Sequence, residues 1–256
     1  MIIYISSFTA LDIFIAVFVY FVVYGLSLDA ANASAYLSIA TSVSIPATLL
    51  FMFMLDKLNI RPALAMRISY LCIFAVLGYL ILMYIGHSAV SSWWLTTLVF
   101  VLLGFGRAGL YFIPWNIYSF IPDVDEMVTR QRREGVFAGV MTLMRKSTVA
   151  VAIMIVGAVL EHSHFVKGQL IQPESALNAI TGLLVFGSGG LLLISLYMTF
   201  KFKLTRETHR VLVKEIDRLK AGGNKADCTP ETKVVVKALT GYDYEQVWQQ
   251  DNNARP

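Results

Sequence analysis

Apolar residues fill most of the first 200 positions in six long runs, broken by short polar or charged segments, and the chain then turns polar to its end. The runs extend over Tyr4 to Tyr24, Ala35 to Leu55, Ala63 to Ile85, Trp93 to Phe120, Val136 to Leu160 and Leu177 to Phe200. Crossing a hydrocarbon core of about 30 Å takes roughly 20 residues of helix, so each run predicts a transmembrane helix. A helix is the form in which a single segment satisfies its own backbone amides where no water is present. The first run lacks a basic leading region, carries Asp12 and has no small-residue cleavage site behind it, so it reads as a retained span. Beyond Lys201, Leu212, Ile216 and Leu219 share one face of a helix predicted over Leu204 to Lys220 and ended by Gly222-Gly223. Thr232 to Leu239 predicts a second short helix, stopped at Thr240-Gly241. The expected fold is all-α, with a six-span transmembrane domain over residues 1–200 and a cytoplasmic helical tail over residues 201–256.

Composition agrees with a chain that lives in the lipid bilayer. It is 57% hydrophobic and only 15% charged, and its mean hydropathy of +0.64 leaves too little charge to clothe a water-soluble surface. Basic residues gather on one side: Lys57 and Arg61 after run two, Arg130, Arg132 and Arg133 after run four, and Lys201, Lys203 and Arg206 after run six. The opposite connections hold only Lys167, so both termini are expected in the cytoplasm, with Trp93 and Trp94 in the outer interfacial belt. The net charge of +4 follows from this asymmetry and implies no nucleic acid. Cys72 lies within a span and Cys228 in the tail, which argues against a disulfide between them. Neither cysteine has metal-ligand spacing. Glu161-His162-Ser163-His164 is the one ligand-like cluster, and its place in an outer connection suits a solvated loop better than a metal centre. Nucleophilic triads, phosphate loops and paired catalytic carboxylates are missing from the sequence, which leaves an intramembrane enzyme unsupported.

Ionisable residues inside the spans carry the functional signal. Arg145 and Lys146 fall about ten residues into run five, roughly 15 to 16 Å at about 1.5 Å per residue, which is near the midplane. Two such cations cost on the order of 5 to 7 kcal/mol unless counter-charges, water or ligand offset them. Thr142 and Lys146 share a helical face, whereas Arg145 is turned about 100° away and needs a different partner. Arg107 sits in Gly104-Phe105-Gly106-Arg107-Ala108-Gly109, where small residues permit close helix packing. Pro114 removes one backbone donor just before Trp115 and Asn116, a pair able to stack on a sugar ring and hydrogen-bond its hydroxyls. Tyr20 and Tyr24, one turn apart, are weaker candidates. Asp12 is the single acid well inside a span, so the interior is left positive. Either an anionic substrate or acids from another polypeptide would restore the balance.

The residues from Pro114 onward resemble a known family. Pro114-Trp115, Pro122-Asp123, Asp125-Glu126, Thr129, Arg132-Arg133-Glu134-Gly135 and Thr142 with Arg145-Lys146 resemble the signature of the glycoside-pentoside-hexuronide:cation symporters. That group of the major facilitator superfamily (MFS) includes melibiose permease. Leu55-Asp56-Lys57 to Arg61 is similar to the short basic loop between the second and third helices of each half, and Leu239-Thr240-Gly241-Tyr242 to Trp248 to the family's C-terminal tail. Arg130 departs from the family's usual Gly and would be strained if the turn demands a positive φ, whereas Asn59, also at a customary Gly, tolerates that conformation.

The resemblance implies the C-terminal six-helix half of a twelve-span carrier. It implies secondary active symport of a sugar, glycoside or sugar acid with Na⁺ or H⁺ and no other cofactor, in a bacterial inner membrane. The family's cation site lies largely in acids of the N-terminal half, so a separate N-terminal six-span half would neutralise Arg107, Arg145 and Lys146, and absent carboxylates are the preferred explanation of the imbalance. It also implies a substrate cavity at Lys146, Thr142, Trp115, Asn116, Arg145, Arg107 and Asp12. The loop Asp123 to Glu134, with Asp123, Asp125, Glu126, Arg132, Arg133 and Glu134, becomes a cytoplasmic gate whose ion pairs break and reform. The competing expectation is a membrane subunit that does not transport, or an inactive remnant.

Overall fold

The computed structural model describes residues 1–86, 92–169 and 171–249, and all regular elements there are helical. Six helices among them are long and apolar enough to cross a membrane, and each contains one of the expected runs. The chain divides into two compact units, residues 1–114 with 142–201, and residues 115–141 with the tail from Phe202.

The first unit is built on α1 (Ile2–Tyr20, continued by a π-helical turn at Phe21–Gly25), α2 (Ala30–Asp56), α3 (Pro62–Gly86) and most of α4 (Trp93–Tyr118). The inner length of α6 (Glu134–His162) joins it, together with α7 (Glu174–Gly182) and α8 (Gly189–Lys201), which a second π-helical turn at Leu183–Ser188 connects. Its core is aromatic and aliphatic, with Phe14, Phe18, Phe21, Phe51, Tyr70 and Phe100 almost completely buried. Association inside lipid gains little from apolar burial, so polar bonds and close backbone approach must align these helices. Ser7 of α1, Tyr70 of α3 and Ser195 of α8 form a closed ring of hydroxyls 2.6 to 2.7 Å apart. Arg67 of α3 donates to the carbonyl and hydroxyl of Thr199 on α8 and lies 4.0 Å over the Phe200 ring. Gly104, Gly106 and Gly109 bring α4 against α2 and α3 so closely that a Cβ on Gly106 would fall 2.8 Å from the Ser69 carbonyl oxygen.

The second unit contains α5 (Ile121–Thr129), α9 (Arg206–Lys220) and α10 (Pro230–Thr240). Leu212, Ile216 and Leu219 are buried along the face expected of them, and they enclose Met127 of α5 with Val236, Tyr244 and Val247. Thr205 and Thr208 cap α9 reciprocally, while Gly241 at φ 78° ends α10 in the left-handed conformation. One expectation needs correction. The stretch Asp123 to Glu134 is not a loop throughout: Asp123, Asp125 and Glu126 lie on α5, and Glu134 opens α6, leaving only Arg130 to Arg133 between the helices. Met127 and its neighbours Val124 and Val128 supply an apolar face that the density of charge concealed.

Candidate functional site

Helical spacing explains how charged and aromatic side chains meet inside the first unit. Phe8 and Asp12 are four residues apart on α1, as are Arg107 and Tyr111 on α4, so each pair shares a face. Arg145 of α6 grips Asp12 with both arms of its guanidinium, Nη1 donating to Oδ2 at 2.5 Å and Nη2 to Oδ1 at 3.0 Å. The same guanidinium lies 5.0 Å over the Phe8 ring, and Phe8 meets Tyr111 edge to face at 4.8 Å. Tyr111 in turn lies 5.5 Å below the guanidinium of Arg107, whose Nη1 donates to Thr41 Oγ1 of α2 at 3.4 Å. Four helices thus contribute to one chain in which two adjacent rings, Phe8 and Tyr111, join two guanidinium groups. Its formal charge is +1, since Asp12 neutralises Arg145 and Arg107 adds one more. About a fifth of each side chain in the Asp12–Arg145 pair is exposed, so the pair is partly shielded rather than sealed.

Thr142 and Lys146 are both exposed, on a face of α6 from which Arg145 is turned by about 60° to 100°. Lys146 makes no ion pair among the described residues. The structure therefore brings Asp12, Arg145 and Arg107 together and leaves Thr142 and Lys146 facing outward on a separate surface of the same helix. Phe8, Thr41 and Tyr111 were missed from sequence, although the four-residue spacings from Asp12 and Arg107 could have pointed to the two rings.

The remaining candidates lie in the second unit. Trp115 is half exposed, with its ring set edge-on to Tyr118 at 5.8 Å, and the Asn116 carbonyl accepts from Ser119 Oγ at 2.7 Å. The charged residues form a dense set of pairs. Arg133 holds Asp125 with two bonds of 2.8 and 3.0 Å, and Arg132 bonds Glu134 at 2.6 Å and approaches Asp123 at 3.4 Å. Bonds to Glu134 and Asp125 raise the pKa values of Arg132 and Arg133 further above the ordinary arginine range. Asp123 and Glu126 are buried and face the tail: Asp123 meets His209 Nε2 at 2.7 Å, the His209 ring stacks on Phe120 at 4.1 Å, and Glu126 meets Lys220 at 2.6 Å. Arg130 caps α5 at φ 61°, the positive value that its departure from Gly made a source of strain, and lies 5.4 Å over the Trp248 ring.

Four of the six apolar helices thus place charged or polar side chains in one cluster within the apolar span region. The sequence profile described as MFS/sugar transport protein matches residues 1–206. The chain belongs to the MFS sugar-transport family. This MFS chain is also 30% identical over 220 residues to an uncharacterized symporter of Synechocystis sp. (strain ATCC 27184 / PCC 6803 / Kazusa). That alignment takes in 81% of the present chain and 38% of the relative, so the chain spans well under half of that protein's length. Membership and the six apolar helices make this MFS chain an integral membrane protein of a sugar-transport family.

Proposed function

We propose that the chain acts as one six-span half of a sugar:cation symporter, carrying a sugar or glycoside with Na⁺ or H⁺ and working against a complementary six-span half. The observation that carries this reading is the cluster of Asp12, Arg145, Phe8, Tyr111 and Arg107 from three helices within a family of sugar-transport proteins. Guanidinium groups and ring faces are the two kinds of surface that a sugar uses, one for its hydroxyls and one for its C–H faces. The outward surface of α6, with Thr142 and Lys146, supports a role at the seam with the complementary half, where a carboxylate would meet Lys146. Only 17% of the most apolar stretch of α2, and likewise of α6, is buried within the chain, which leaves both helices broad surface for that contact. The pairs at Asp123, Asp125, Glu126, Arg132, Arg133 and Glu134 serve as a cytoplasmic gate in a bacterial inner membrane, with both termini on the cytoplasmic side.

The test is purification of the tagged chain from its native membrane, followed by counterflow of radiolabelled glycosides in proteoliposomes. Counterflow that needs Lys146 and a co-purifying six-span partner bearing intramembrane acids is the expected result. A chain that purifies without such a partner and moves no sugar overturns the proposal.

A further inference from the structure

We propose that Asp12 and Arg145 are positioning residues: their ion pair fixes the rotation of α6 about its own axis and so aims Thr142 and Lys146 at the seam with the complementary half. This rests on the symporter reading and states how the seam surface of that reading is set. Of the two helices, α1 is the fixed post. Within the chain, 61% of the most apolar stretch of α1 is buried, against 17% of that of α6. Ser7 ties α1 to Tyr70 and Ser195, and Phe14, Val17 and Phe18 of the same helix are almost completely buried. Between residues 142 and 160, by contrast, α6 buries only a narrow stripe of Ala152, Val156 and Leu160, in line with Arg145, while Leu143, Ile153 and Met154 are exposed.

Apolar contact does little to select which face of such a helix turns inward, because lipid tails receive an aliphatic side chain about as well as a neighbouring helix does. A charge does select. Among the described residues, the bonds from Arg145 to Asp12 are the only hydrogen bonds or ion pair that a side chain between 142 and 160 makes with another helix. They are also directional: two N–H donors of one planar fork meet the two oxygens of one carboxylate at 2.5 and 3.0 Å, and the Phe8 ring lies 5.0 Å from the same guanidinium. Turning α6 would carry the guanidinium toward hydrocarbon and leave the Asp12 carboxylate unpaired, and both changes are costly inside a membrane. Lys146 follows Arg145 directly and Thr142 precedes it by three residues, so a lock on Arg145 sets both at about 100° and 60° from it. With both arms on Asp12, Arg145 orients its neighbours, and a sugar contact of its own would first require the pair to open.

The deciding experiment is a nitroxide scan of positions 147 to 160 in the full chain, with the free cysteines Cys72 and Cys228 replaced by Ser, purified from its native membrane into nanodiscs. Collision of each spin label with dissolved oxygen reads how far its position faces lipid. The wild-type sequence should give a helical oscillation with minima at Ala152, Val156 and Leu160. Asp12→Asn combined with Arg145→Gln strands no charge, and should abolish the oscillation or move its minima to other positions. An unchanged oscillation in that variant overturns the proposal even if its melting temperature falls, since a pair that only adds stability leaves the phase alone. If the double variant does not fold, Arg145→Lys keeps the charge without the fork: it should hold the minima and reduce the amplitude, and an undiminished amplitude overturns the proposal. Counterflow of radiolabelled glycosides by the same variants in proteoliposomes separates this inference from the reading it rests on. Phase and counterflow lost together support positioning, whereas lost phase with full counterflow overturns it and leaves symport standing. A wild-type chain that moves no sugar overturns the symporter reading and the seam with it, while the phase still decides whether the pair locks α6.

Discussion

At the scale of single residues, the Asp12–Arg145 pair sets the clearest expectation. Removing one member of a buried pair costs about 3 to 5 kcal/mol, and the partial exposure of both side chains here lowers that to roughly 2 kcal/mol. Asp12→Asn should therefore lower the melting temperature in detergent, and adding Arg145→Gln should restore much of it, which a double-mutant cycle would read directly. Arg130 presents a contest between two small effects. Left-handed backbone at a non-glycine residue costs about 1 to 2 kcal/mol, against about 0.5 to 1 kcal/mol from an exposed cation over Trp248. Arg130→Gly should stabilise the second unit slightly, seen as slower trypsin cleavage at Arg132 and Arg133. Asn59, at φ 50°, adopts the same conformation with a side chain better suited to it. In the tail, burial disfavours the charge on Glu215, yet bonds from Arg218 and Tyr244 prevail and hold its carboxyl below the usual glutamate range. A lowered folded pKa contributes stability above the unfolded value and loses it as pH falls through the folded one. The tail should weaken on acidification from about pH 5 toward pH 3, and Glu215→Gln should flatten that dependence. Trp248 fluorescence, with the other tryptophans replaced by Phe, reports it.

At the scale of helices, α4 is held by what its glycines lack. A Cβ on Gly104 would run into the Ala40 carbonyl oxygen and Val43, and one on Gly109 into Ser69 and Phe51. Backbone yields less readily than a side-chain tip, so Gly104→Ala should destabilise the bundle by about 1 to 3 kcal/mol in detergent unfolding. The sequence made the six spans plain because an apolar run of that length has few other uses. It also exposed Asp12 as an isolated acid, but not which of Arg107, Arg145 and Lys146 would meet it. That choice depends on the rotation of α6 and α4 about their axes, which packing decides. Phe8 and Tyr111 could be suspected from their four-residue spacing to Asp12 and Arg107, but Thr41 is an ordinary residue in a membrane helix and nothing local distinguishes it from lipid-facing neighbours. The helix α5 was obscured for the opposite reason. Five charged residues between Asp123 and Arg132 suggested solvent, whereas two of the acids, Asp123 and Glu126, are buried against His209 and Lys220.

At the scale of the whole molecule, the tail is more than an appendage after the last span, because it completes the core around Met127. The backbone N–H of Trp248 donates to the Met127 carbonyl at 3.2 Å, so the far end of the described tail is bonded to the helix following the fourth span. Truncation after Lys203 would strip Met127 of its cover and leave Asp123 and Glu126 without His209 and Lys220. Such a chain should insert normally but be cut faster by protease between Ile121 and Arg133. The π-helical turn at Leu183–Ser188 affects the molecule in another way. Each such turn accommodates one residue more than the α-helix does, so faces on either side of it are displaced by about 100°. A thiol-labelling scan along Glu174–Lys201 would thus trace two accessible stripes out of phase with each other. Deleting a single residue between Leu183 and Ser188 would realign them into one regular helix, at the expense of turning Glu174–Gly182 away from the neighbours it now packs against.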